Sequence, residues 1–134
     1  MKYQIFKIIF FAFIISLSIS LIISWTNYIS TSGNEAKQGM FIFVLSNIFL
    51  CLINFILALP GLLNLNEKIR NNIILSLVTF FSLPIIFYIL LLILYFQSQN
   101  LTENVIVFLN MSIPSITFCI TLAVKFYDFR KKQF

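Results

Sequence analysis

Histidine is absent from this 134-residue chain, and only Glu35, Glu67, Glu103 and Asp128 are acidic. These two shortages remove much of the chemistry a protein can perform. Zinc and its neighbours need imidazole, thiolate or clustered carboxylate ligands, and the acids here are scattered along the chain. Nucleophilic and acid–base catalysis need a base beside the reacting group. The apolar runs hold none for their serines, threonines or cysteines. Glycine is scarce too: Gly33, Gly39 and Gly61 cannot build a loop that cradles phosphates. Cys51 and Cys119 fall in different apolar runs and at different depths, which makes them apolar fillers rather than a disulfide. An enzyme, a cofactor and a metal centre are therefore not expected.

Charge is the next shortage. Only 10% of residues are charged, while 60% are hydrophobic and mean hydropathy is +1.02. A soluble domain has roughly 25% charged residues, so lipid rather than water is the expected outer solvent. Ile, Phe, Leu and Asn dominate while Ala and Gly are few, a composition of AT-rich and hence bacterial coding.

What the chain does have is four long apolar runs, at 8–25, 40–59, 73–96 and 105–124. They predict an all-α fold: a single membrane domain over residues 1–134, built as an integral bundle of four transmembrane helices. The first run competes with a signal peptide, since Lys2 and Lys7 precede it and Ser18-Ile19-Ser20 offers small residues for cleavage. Leu21-Ile22-Ile23 continues past that point, and Trp25 and Tyr28 stand where interfacial aromatics belong, so the retained helix is preferred. Pro60-Gly61 marks a helix end, Pro84 predicts a bend near the middle of the third run, and Pro114 lies inside the fourth. The segment 62–72 carries enough leucine to lie along the membrane surface. A polar turn is expected at 97–104, where Asn100-Leu101-Thr102 fits a glycosylation pattern that a bacterial protein leaves unused.

Four spans put both termini and the central connection on one side, with Lys2, Lys7, Lys68, Arg70, Lys125, Arg130, Lys131 and Lys132; the other side has only Lys37. The positive-inside rule then gives an inner-membrane protein with both termini cytoplasmic, N-in and C-in. The basic tail reads as a stop-transfer anchor, with Tyr127 and Phe129 at the interface, in preference to a lipid sensor. So short a basic run does not support nucleic-acid binding.

Lipid-facing surfaces gain nothing from polar groups, so small and polar positions mark the packed faces. Ala12, Ser16, Ser20 and Ser24 recur every four residues in the first run. Asn47, Cys51, Asn54 and Ala58 share one face of the second, and Asn110, Pro114, Thr117 and Thr121 repeat that spacing in the fourth. The third run has the looser set Ser76, Thr79 and Ser82. The candidate interhelical polar face is accordingly Ser16, Ser20, Ser24, Asn47, Asn54, Asn110, Thr117 and Thr121. No ionisable group lies deep in any run, which argues against a proton-coupled pump. Two functions fit. The first is a non-catalytic protein that packs its helices against a membrane-protein partner, such as an immunity or accessory protein. The second is a small oligomeric channel or carrier for a neutral or weakly charged solute.

Overall fold

The computed structural model describes residues 2–30, 32–97 and 105–133, and among these it is helical with no strand. The order is α1 (Lys2–Ser30), α2 (Asn34–Ala58), a 3₁₀ stretch (Leu59–Leu65), α3 (Glu67–Asn71), α4 (Ile73–Gln97) and α5 (Val105–Gln133). Among the described residues, three segments, Tyr3–Ser30, Lys37–Leu65 and Ile73–Gln97, are long and apolar enough to cross a membrane. Backbone groups find no water in lipid, so such segments satisfy their hydrogen bonds internally, as helix. The expected turn falls, from residue 98 to residue 104, outside the described residues, and the Asn100-Leu101-Thr102 pattern with it.

The helices extend beyond the apolar runs. Hydropathy marks only the part that lipid can cover, whereas a helix continues until its backbone is turned aside. Between α1 and α2 that turn is made at Gly33, whose φ of 100° is open to glycine and strained for other residues. The polar connection read at 26–39 is thus mostly helix. α2 ends at Ala58 because Pro60 has no N–H to continue the ladder, and the chain tightens into the 3₁₀ stretch. Asn66 caps α3 by accepting from the backbone N–H of Lys68 at 3.0 Å. Asn72 caps α4 by accepting from Ile74 and Leu75 at 3.0 and 3.3 Å. The segment 62–72 is therefore folded throughout rather than a loop. α4 and α5 run as unbroken α-helix through Pro84 and Pro114.

α1, α2 and α5 pack against one another, and α4 sits to the side against the 3₁₀ stretch, α2 and α5. The apolar core lies at the end that holds the start of α1 and the finish of α5. It joins Ile5, Ile9 and Ala12 to Ala58, Phe80, Phe118, Leu122, Phe126 and Phe129. Phe80 meets Phe126 edge-on with centroids 5.3 Å apart, which locks the first half of α4 to α5. Gly61 completes that junction. A Cβ there would come within 2.7 Å of the Phe80 ring, so only glycine lets the 3₁₀ stretch lie so close to α4. At the opposite end Trp25 stacks on Tyr28 at 5.6 Å, and Lys37 lies 6.0 Å over the Tyr28 ring.

Candidate functional site

The bundle's polar side chains meet along a seam between α1, α2 and α5. Ala12, Ser16, Ser20 and Ser24 of α1 are all buried, as are Asn47, Cys51, Asn54 and Ala58 of α2. Small side chains at every fourth position let the two backbones approach closely. Within this contact the Asn47 amide Nδ2 donates to Ser24 Oγ at 2.7 Å. The Ser16 hydroxyl lies 3.6 Å from Cys51 Sγ and 3.1 Å from the carbonyl of Phe13. It has one hydrogen, so it serves these acceptors one at a time. Asn54 uses both amide hydrogens, donating to Leu50 O and to Ser115 Oγ of α5, each at 3.0 Å. The seam thus runs from α1 through α2 to α5.

Ser115 was not among the residues picked out by spacing. On α5 the buried face runs through Ser112, Ser115, Phe118, Leu122, Phe126 and Phe129. Thr117 and Thr121 stand at its edge, half-buried, and donate to their own helix. Thr117 reaches Ile113 O at 2.7 Å and Pro114 O at 3.2 Å, and Thr121 reaches Thr117 O at 2.7 Å. A threonine that satisfies its hydroxyl on the preceding turn needs no partner helix. These two residues are therefore not joined to the asparagines of α2. The side chain of Asn110 lies outside the described residues. Asn54 Oδ1 is buried and makes no hydrogen bond.

A second polar knot fastens α4. Asn64, fully buried in the 3₁₀ stretch, donates to Gly61 O at 2.9 Å and to Thr79 Oγ1 at 2.7 Å. Thr79 in turn donates to Ser76 O at 2.9 Å. The sequence hides Asn64 because it falls between apolar runs, in a stretch read as surface. The available signal was a lone amide among Leu62, Leu63 and Leu65, directly after Pro60-Gly61. The Arg130 guanidinium, near the end of α5, donates to the carbonyl oxygen of Arg70 in α3.

Chemically the seam offers amides, hydroxyls and a thiol, all uncharged. Among the described residues no three His, Cys, Asp or Glu side chains gather into a metal-binding group. Each interhelical bond of this kind contributes about 0.6 kcal/mol in a membrane bundle. Such bonds fix which faces meet more than they set the stability. No known protein family, characterised protein or solved structure is significantly similar to this chain.

Proposed function

We propose that the chain is a non-catalytic, four-span protein of a bacterial inner membrane that acts by packing against a partner membrane protein. Immunity proteins against membrane-active toxins and accessory subunits of larger complexes work in this way. α5 is the fourth span in this reading: its apolar part, 105–124, is long enough to cross, and the helix packs along α1 and α2. The charge bias of eight basic residues against Lys37 supports cytoplasmic termini. A periplasmic reporter fused after Phe134 is expected to stay silent; strong activity there contradicts this topology.

One observation carries the partner reading. Four side-chain hydrogen bonds join interior polar groups to one another, while α4 beyond Pro84 has no buried residue. Ile89, Leu90, Ile93 and Leu94 are all exposed along that half, where a partner helix would lie. A photo-crosslinking side chain at Leu90 should trap one defined partner in intact cells. Deletion of the gene should then sensitise cells to a toxin or disperse that complex. Crosslinks to lipid alone, with no phenotype, would remove this reading.

The channel or carrier reading draws on a different observation: Asn54 Oδ1 is buried and unpaired, as a group that holds water or a hydroxylated solute is. Under it, protein in liposomes conducts a small neutral solute, and Asn54→Leu stops the flux. Absent flux, or flux indifferent to that substitution, dismisses it.

A further inference from the structure

The first turns of α1 and the last turns of α5 flank a cleft of about 530 Å³. Its polar walls are Gln4 and Lys7 from α1, and Lys125, Asp128 and Lys132 from α5. Both helices supply it at one spacing, i, i+3, i+4 and i+7, starting from Gln4 and from Lys125. That spacing is a single helix face, so the lysines line one opening rather than scattering around two helices. Ile8, Phe11 and Phe129 form the apolar floor.

Three lysines face a single acid here, and among the described residues none of them is ion-paired with Asp128. The Lys125 ammonium rests 4.4 Å over the Phe11 ring, which holds it at the cleft wall. Lys7 and Lys125 also border the apolar runs that begin at Ile8 and end at Val124. In a membrane this is headgroup depth, where basic pockets between helices meet acidic lipids. A free anion would use the lysines but gain nothing from the floor. A lipid uses both, because its phosphate faces the ammonium groups while its glycerol and upper acyl carbons cover Phe11.

We propose that this cleft is a binding site for an anionic phospholipid, with the headgroup phosphate between Lys7 and Lys125 and Lys132 at the outer rim. The site needs the membrane placement argued above but not the protein partner. It also gives the basic tail a function beyond anchoring, because half of the recognition comes from the other end of the chain.

Native mass spectrometry of the full chain in a nonionic detergent tests this with phosphatidylglycerol, phosphatidylcholine and inorganic phosphate as probes. The protein should retain one phosphatidylglycerol in preference to phosphatidylcholine, and millimolar phosphate should not displace it. The Lys7→Gln/Lys125→Gln pair should weaken retention about 25-fold, from roughly fivefold per lysine. The charge-matched pair Lys68→Gln/Lys131→Gln, outside the cleft, should leave it unchanged. Asp128→Asn adds no bulk and should tighten retention by about fivefold. Equal losses in the two lysine pairs overturn the site, as does equal retention of phosphatidylcholine. Displacement by phosphate makes it a small-anion site and overturns the lipid. Unchanged or weaker binding in Asp128→Asn overturns it independently of how the lysine variants fold.

Discussion

α2 and α4 have the same length, 25 residues each, and their apolar segments have nearly the same hydropathy, 2.6 and 2.7. They are nevertheless packed very differently. Of the most apolar part, 28% is buried for α2 and only 11% for α4. Hydropathy fixes whether a helix enters lipid, and lipid is as apolar as leucine, so it says nothing about which helices then associate. Association follows the small and polar positions. α2 has four on one face, matched by four small residues on α1. α4 has Ser76 and Thr79 near its start and is held there by Asn64, Gly61 and Phe80.

The attachment of α4 is the place where this contrast breaks most easily. Phe80→Ala removes the buried ring shared with Phe126 and should lower the unfolding free energy by about 3 kcal/mol. Titration with sodium dodecyl sulfate from a mild detergent would read this, and a change below about 1 kcal/mol would deny α4 its anchor there. Gly61→Ala should cost about 1–3 kcal/mol through overpacking against Phe80. The control is Gly39→Ala, where a Cβ meets nothing within 4 Å.

Much of the architecture could be read from the sequence because period-four spacing puts residues on one helix face whatever surrounds them. The runs, the break at Pro60-Gly61, and the burial of the α1 serines and the α2 asparagines are of this kind. The rest depends on rotation and distance. Extending the α2 spacing to α5 gave Thr117 and Thr121, but a threonine can satisfy itself on its own backbone. Ser115 lies on the face that Phe118 and Leu122 bury, and no polar pattern marks it. Asn64 was concealed by a hydropathy dip that separates two spans, and the role of Gly61 needs the position of Phe80, a residue in another helix.

Smaller effects are expected at Asn64 and on the far half of α4. Asn64→Leu deletes the amide that joins Gly61 O to Thr79 Oγ1 and should cost about 1–2 kcal/mol in the same titration. A loss well below that would assign the hold on α4 to its aromatic contacts alone. On the far half of α4, Leu90→Ala should change stability by less than about 0.5 kcal/mol, as an exposed position does. A larger effect would mean that this half is already covered, by a second copy of the chain or by an unseen contact.

The interior polar groups fasten helices to each other. A double-mutant cycle with Asn54→Leu and Ser115→Ala tests it most directly, because those two side chains bond α2 to α5 at 3.0 Å. A coupling of about 0.6 kcal/mol in unfolding free energy is expected. Strictly additive single effects, with both variants as stable as the parent, would contradict it and turn attention to a solute path instead.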